Sequence, residues 1–163
     1  MTNKEKVYTA LKEWGIPYRA IDHRALFTAE DVGECVPVDG ETVVVKNLFL
    51  RNDTGNKFYL LSQCYHKHVD LKALRAFLKS SRLGFCSEER LMKHLGVAPG
   101  SVSPLCAIND PSCKVQVVLD AELATYKTIC MHPNDNTGST YLLYEDLLAF
   151  LEKTGHTPVF YQV

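Results

Sequence analysis

The chain has 163 residues, of which 46% are hydrophobic and 23% are charged, and its formal net charge is −1. This length and composition suit one globular domain whose core needs no disulfides, and we expect a single domain over residues 1–163. No apolar stretch approaches the ~18 residues of a membrane span, and the near-neutral charge argues against a protein that coats nucleic acid wholesale. We therefore expect a cytoplasmic monomer with no membrane segment.

The first half of the chain predicts helices at its start and a pair of strands at its end. Apolar residues at helical spacing, capping residues and β-branched runs define the elements. The Asn-Asp-Thr-Gly-Asn sequence between the last two strands is typical of a hairpin turn. The predicted elements are a helix Lys4–Trp14, a strand Tyr18–Ile21, a helix from Thr28 toward Cys35, and strands Thr42–Arg51 and Lys57–Gln63.

The second half alternates helices and strands without a regular repeat. The predicted elements are a helix from Asp70 to Leu78, a helix Glu88–Leu95 stopped by Gly96, strands Val115–Leu119 and Thr140–Leu143, and a helix Tyr144–Lys153 ended by Gly155. Since there is no βαβ rhythm and a hairpin is present, the pattern predicts an α+β fold with a mixed sheet flanked by helices.

The cysteines predict reduced core thiols rather than disulfides or a zinc site. They occur singly in apolar or mixed segments, with no Cys-x-x-Cys pair and no histidine at zinc-finger spacing. The six positions are 35, 64, 86, 106, 113 and 130. A thiol redox or metal protein is therefore disfavoured.

One lysine interrupts the apolar, β-branched segment Val43–Leu50. Burying an unpaired ammonium costs on the order of several kcal/mol, and no acid lies between Glu41 and Asp53. Lys46 therefore either extends its amine to water from an edge strand or meets an anionic ligand. The segment alone favours the first interpretation, and features elsewhere in the chain favour the second.

Residues 67–82 carry five basic side chains and a single acid, Asp70. Three of the basic residues, Lys72, Arg75 and Lys79, fall on one face of the predicted helix. A solvated helix face is the ordinary explanation. A local nucleic-acid contact is the alternative.

Two polar loops carry further candidates. The first, Gly96–Pro104, holds two glycines and two prolines, and the N–H groups of Gly100, Ser101 and Val102 suit an anion or a developing oxyanion. A plain connection explains this loop equally well. The second loop, Met131–Gly138, contains His132, which either orients a substrate or water or is merely exposed.

Together these segments resemble the prolyl-tRNA editing domains of the YbaK/ProX type. The likeness runs through nearly the whole chain, from the N-terminal helix through Phe27-Thr28 to Thr154-Gly155-His156. Within the family, Gly100–Pro104 resembles the freestanding alanyl-tRNA(Pro) deacylases more than the relatives that clear cysteinyl-tRNA(Pro). The segments that carry the resemblance are Val45–Leu50, Val69–Leu74, Ser87–Leu91, Leu95–Pro104, Ile108–Asp110, Val118–Asp120 and His132–Thr137.

The resemblance implies a mixed, curved sheet flanked by helices, and hydrolysis of the ester between a mischarged amino acid and the terminal adenosine of proline tRNA. It implies no metal and no cofactor. The implied partners are the acceptor end of tRNA(Pro) and, as a further candidate, prolyl-tRNA synthetase. Since no Ser-His-Asp or Cys-His arrangement is legible, we expect water as the nucleophile, with the ribose hydroxyl as a candidate assistant.

The resemblance also assigns roles to particular residues. Lys46 matches the family's essential lysine and is the expected catalytic residue. The expected substrate-binding residues are Asn47 and His132, the loop residues Gly100, Ser101, Val102 and Ser103, and the pocket-wall residues Phe27 and Thr28. The charge pattern of the helix, rather than the resemblance, makes Lys72, Arg75 and Lys79 the expected tRNA-docking residues.

Two alternatives remain open. The first is a deacylase for cysteinyl-tRNA(Pro) or another aminoacyl-tRNA, because residues 23–28 depart from the proline-rich stretch that family members often carry there. The second is a catalytically silent module that binds tRNA or a synthetase. Retention of Lys46 argues against the silent module.

Overall fold

The structure, a computed structural model, describes residues 1–163 and contains five α-helices, two short 3-10 helices and eight strands. The helices are α1 (Asn3–Glu13), α2 (Ala29–Cys35), α3 (Leu71–Leu78), α4 (Glu88–Leu95) and α5 (Tyr144–Lys153), and the 3-10 helices are Pro104–Asn109 and Ala121–Thr125. The strands are β1 (Arg19–Asp22), β2 (Thr42–Arg51), β3 (Phe58–Cys64), β4 (Gly84–Phe85), β5 (Val115–Asp120), β6 (Thr128–Met131), β7 (Gly138–Leu143) and β8 (Val159–Tyr161).

The helix ends are set by local capping. The Asp70 carboxylate accepts hydrogen bonds from the backbone N–H groups of Lys72 and Ala73, at 3.0 and 3.1 Å, and so starts α3. The Ser87 hydroxyl does the same for α4. At its other end α4 stops at Gly96, whose φ of +67° lies in the left-handed region. These predicted caps are confirmed.

All eight strands form one mixed sheet in the order β1-β7-β6-β2-β3-β5-β8, with β4 attached to β2. The neighbours β2/β6, β3/β5 and β5/β8 are parallel, whereas β1/β7, β6/β7, β2/β3 and β2/β4 are antiparallel. The predicted α+β class, a mixed sheet flanked by helices, is confirmed. None of the helices combines the length and apolar character needed to span a membrane.

Apolar residues of β2 pack against helices on both faces of the sheet. On one face Val43 and Val45 join the largest core cluster with residues of α1 and α5, and Phe49 packs near α4. On the other face Val44 belongs to a small cluster with α2, whereas Leu48 and Leu50 pack near α3. Because neighbouring residues of a strand point to opposite faces, Lys46 lies on the second face, between the α2 and α3 clusters.

Candidate active site

The sheet is interrupted along one edge of β2. On this edge β6 pairs with β2 only from Thr42 to Val44, and β4 pairs only with Leu50 and Arg51. Residues 45–48 therefore have no strand neighbour on that side. Lys46 and Asn47 lie in this gap and point to opposite faces of the sheet.

Lys46 has a half-buried side chain and no counter-ion. It lies opposite Gln63 of β3 and forms none of the ion pairs in the protein. The Nε2 atom of Gln63 donates to the Lys67 carbonyl oxygen at 2.8 Å, but its buried Oε1 has no hydrogen-bond partner. Lys46 thus offers a cation to a ligand from a site where no carboxylate neutralises it.

Asn47 points to the opposite face and holds the loop of residues 96–104, which we call the glycine loop. Its Nδ2 donates to the Val102 carbonyl oxygen at 3.0 Å, and its Oδ1 accepts from the Ser62 hydroxyl at 2.6 Å. The amide is therefore committed to holding the loop on the α4 face of the sheet, with one N–H and one lone pair left for a ligand.

The glycine loop presents two free backbone donors rather than the three expected. Gly100 adopts a φ of +85°, and the turn it makes directs the Ser101 N–H to the Ala98 carbonyl oxygen at 3.1 Å. The N–H groups of Gly100 and Val102 make no hydrogen bond within the protein. They are the backbone donors of this loop that remain available to a ligand.

The Ser103 side chain forms its hydrogen bonds within the protein. It is fully buried, and its hydroxyl accepts from the Leu105 N–H at 3.0 Å and donates to the Asn134 Oδ1 at 2.9 Å. Its place is that of an N-cap for the following 3-10 helix. The pattern Ser-Pro at the start of that helix is the sequence signal for this cap.

Residues 132–138, which we call the histidine loop, follow β6 and are latched to the glycine loop by Asn134. This residue is 2% exposed and has a φ of +61°. Its Oδ1 also accepts from the Cys106 thiol at 3.1 Å, and its Nδ2 donates to the Leu105 carbonyl oxygen at 3.1 Å. Sequence reasoning missed this residue, because its partners lie about 30 residues away in the chain.

His132 sits at the start of the histidine loop with one ring nitrogen committed. Its Nδ1 lies 3.1 Å from the Gly138 carbonyl oxygen, which can only accept, so Nδ1 carries the proton and Nε2 is the acceptor. Burial lowers the pKa of His132 below its ordinary value. The ring is therefore neutral near pH 7, with a lone pair free at Nε2.

Phe27 and Thr28 lie at the start of α2, near the histidine loop. The Asn136 side chain bonds both backbone polar groups of Leu26, donating to its oxygen at 2.8 Å and accepting from its N–H at 3.3 Å. Thr28 caps α2 through Asp31, so its hydroxyl is committed, whereas Phe27 is 83% exposed. Asn136 thus ties the α2 segment to the site, which the sequence did not reveal.

A small cavity of about 40 Å³ lies on the α2 side of the sheet, and His132, but neither Lys46 nor the glycine loop, contributes to its lining. Ligand pockets usually measure ~300–1,000 Å³, so this one has room for only a few heavy atoms. The largest cleft, about 670 Å³, lies instead near Cys113 and His156 and contains none of the predicted site residues. The small cavity is lined by Leu26, Val32, Val36, Val44, Val45, Tyr65, Cys130, Met131, His132 and Ser139.

Comparison with known proteins identifies the family. A family model described as an aminoacyl-tRNA editing domain matches residues 23–150. The prolyl-tRNA editing protein ProX of Acetoanaerobium sticklandii is 37% identical over 157 residues, which covers 96% of this chain and 95% of the relative. The chain belongs to the aminoacyl-tRNA editing domain family. The resemblance to editing domains of the YbaK/ProX type is thereby confirmed.

One further relative and one solved structure are also similar to this editing domain. The prolyl-tRNA synthetase associated domain-containing protein 1 of Danio rerio is 35% identical over 152 residues, which covers 91% of this chain and 81% of the relative. A solved structure, described as a candidate trans-editing enzyme for prolyl-tRNA synthetase, matches with a TM-score of 0.77 and 19% identity. That match covers 100% of this chain and 98% of the other, and it supports the fold.

Two of the predicted docking residues, Lys72 and Arg75, lie on α3 of the editing domain, on the same side of the sheet as Lys46, whereas Lys79 follows the helix as its C-cap with a left-handed φ of +53°. Leu74 faces the core, and Lys72, Arg75 and Lys79, which we call the basic face of α3, are exposed. Arg75 Nε donates to the Ser80 carbonyl oxygen at 3.3 Å, and none of the three forms an ion pair. The basic face is therefore exposed to solvent, and no carboxylate pairs with it.

The six thiols of the editing domain are all unpaired. Burial raises the pKa of Cys106 to about 12 and that of Cys130 to about 11, so both stay protonated and unreactive near pH 7. Cys64 is also buried, whereas Cys113 is exposed. The interpretation of the cysteines as core thiols therefore fits three of them and is wrong for Cys113.

Proposed function

We propose that this editing domain hydrolyses alanyl-tRNA(Pro), and that the unpaired ammonium of Lys46 in the gap of the sheet is the observation that carries the assignment. An aminoacyl-tRNA editing domain acts on the ester that joins an amino acid to the terminal ribose. The relatives named for prolyl-tRNA editing and for prolyl-tRNA synthetase support proline tRNA as the carrier and the synthetase as a partner.

Hydrolysis of this ester adds water to the carbonyl carbon and breaks its bond to the ribose oxygen. The carbonyl oxygen gains negative charge as the carbon becomes tetrahedral, so donors fixed in place stabilise that state. Lys46 supplies a charged donor to this oxygen or to a substrate phosphate. The free N–H groups of Gly100 and Val102 supply neutral donors from the other side of the gap.

The neutral ring of His132 complements these donors with an acceptor. Its Nε2 can receive a hydrogen bond from a ribose hydroxyl or from the ammonium group of the amino acid. Asn47 keeps the Val102 carbonyl, and with it the glycine loop, against β2. Water is the nucleophile in this scheme, and no protein group is assigned as its general base.

The cavity of about 40 Å³ supports alanine as the favoured amino acid. A methyl side chain fits such a space, whereas the prolyl ring would have to displace packed residues of β2 and α2. Exclusion by size is the easier form of discrimination for an editing site, because rejecting a smaller group by lost contacts yields little free energy per methylene.

The test is deacylation by the purified protein of alanyl-tRNA(Pro), cysteinyl-tRNA(Pro) and alanyl-tRNA(Ala). We expect the first to react fastest, since the alanyl group fits the cavity and the proline acceptor end is the cognate carrier. Faster reaction of the cysteinyl ester would reassign the protein to the neighbouring specificity. If none of the three substrates is hydrolysed, the silent binding module is favoured.

A further inference from the structure

Two arginines, Arg51 and Arg82, lie beside β4, outside the site described above. A cleft of about 330 Å³ there is lined by Arg51, Asp53, Arg82, Leu83 and Gly84. Neither arginine forms an ion pair. The single acid of the lining accepts a hydrogen bond from the Ser81 hydroxyl at 2.7 Å. The cleft therefore carries two uncompensated guanidinium groups against one carboxylate.

Arg51 is held in place, but one of its hydrogen-bond donors has no partner. Its Nη1 donates to the Asn52 carbonyl oxygen at 3.1 Å, which fixes the guanidinium, whereas its buried Nε has no partner. A Cβ atom at Gly84 would lie 3.9 Å from the Arg51 Cζ and Nη2, so the glycine leaves this side of the guanidinium uncovered. A buried donor without a partner is destabilising, so this guanidinium is short of an acceptor.

The cleft lies on the same edge of β2 as the gap that holds Lys46. Arg51 pairs with Gly84 and Leu50 pairs with Phe85, directly beyond the unpaired residues 45–48. Arg51 lies five residue steps along the strand from Lys46, or about 17 Å at ~3.4 Å per step, and its side chain points to the opposite face of the sheet.

We propose that Arg51 and Arg82 bind a backbone phosphate of the substrate RNA, several nucleotides from the aminoacyl ester at Lys46. This rests on the proposed function, because it takes the RNA to be the same tRNA whose ester is hydrolysed. At a stacked rise of ~3.4 Å per nucleotide, 17 Å corresponds to roughly five nucleotides. A guanidinium matches the geometry of a phosphate with two parallel donors, which the lysines of the basic face of α3 cannot do.

The experiment measures the affinity of the full chain for non-aminoacylated tRNA(Pro) at several salt concentrations. Arg82→Gln removes one exposed guanidinium, and Arg51→Lys keeps the charge but removes the planar fork. Lys153→Gln, at the exposed end of α5, is the matched loss of one positive charge. We expect Kd to rise about three- to tenfold in both arginine variants, and the salt slope to flatten by ~0.7–0.9 in Arg82→Gln only. Lys153→Gln should leave both quantities unchanged.

Hydrolysis of alanyl-adenosine by the wild-type protein separates this proposal from the one it rests on, since that substrate ends at the nucleoside and has no backbone phosphate. If the wild type hydrolyses it and binds tRNA, but both arginine variants bind tRNA with wild-type affinity and salt slope, the phosphate pocket is wrong and the proposed function stands. If the wild type neither hydrolyses alanyl-adenosine nor binds tRNA, both proposals fail. Equal weakening in Lys153→Gln would also overturn the pocket, because net charge alone would then explain the effect.

Discussion

Replacement of Lys46 by alanine should abolish deacylation while leaving the fold intact. The lysine contributes a charged donor to an oxygen that gains charge in the transition state. Loss of one such donor typically costs ~10²–10³ in rate, or about 2.7–4 kcal/mol of transition-state stabilisation. We expect a decrease of that size in the single-turnover rate on alanyl-tRNA(Pro).

The cost to stability should be smaller. The substitution removes three methylenes of a half-buried side chain, worth about 1 kcal/mol at ~0.8 kcal/mol per fully buried methylene. No ion pair is lost, and relief of the partly desolvated ammonium offsets part of this cost. For a chain of this length the melting temperature should therefore change by only about 2–4 °C.

The assay pairs a thermal melt with single-turnover hydrolysis for each variant. Lys57→Ala is the control, because Lys57 is an exposed lysine next to β3 with no ion pair. It should retain the wild-type rate. A Lys46→Ala protein that unfolds would make the lysine structural, and one that loses less than tenfold in rate would remove it from the chemistry.

Four further outcomes follow from the same structure. Asn134→Gly keeps the positive φ but removes the hydrogen bonds between the two loops, so the free energy of unfolding, measured by urea titration, should fall by about 2 kcal/mol and deacylation should slow. A wild-type deacylation rate in a variant that is still folded would show that Asn134 does not position the loop. Activity should survive EDTA and iodoacetamide, with alkylation found by mass spectrometry at Cys113 and not at Cys106; strong inhibition by either reagent would revive a metal or thiol mechanism. Because burial lowers the pKa of His132, its neutral form should persist as pH falls to about 6.5; below that the unfolded chain gains a proton that the folded ring resists, so stability should decrease, and a pH titration of unfolding should show a steeper dependence in the wild type than in His132→Gln, with an equal dependence in both proteins counting against a buried neutral ring. Charge reversal of the basic face of α3 should raise KM for the tRNA substrate more than it lowers kcat, and should flatten the salt dependence of binding; a wild-type salt slope would return that face to an ordinary solvated surface.

Local signals in the sequence predicted the elements that are stabilised locally. The caps at Asp70 and Ser87 and the hairpin at residues 52–56 are short-range features, and all lie where expected. The strands β4, β6 and β8 were missed. They are two to four residues long and are held by pairing with distant strands, such as β6 with β2 across more than 80 residues.

In the candidate site, too, the sequence predicted the local features and missed those that depend on distant contacts. The oddity of an ammonium in an apolar strand is visible in the sequence, and the structure does leave Lys46 without a counter-ion. What Asn47, Ser103 and Asn134 do depends on contacts between the two loops, which no local pattern encodes. Asn134 also adopts a left-handed φ that composition alone assigns more readily to a glycine.

The most direct test of the account is the ratio of single-turnover rates on alanyl-tRNA(Pro) and prolyl-tRNA(Pro) with the wild-type protein. The small cavity next to His132 predicts rapid hydrolysis of the alanyl ester and near-background hydrolysis of the prolyl ester, a ratio of at least about 10² if the ring is excluded sterically. Comparable rates on the two substrates would contradict selection by that cavity.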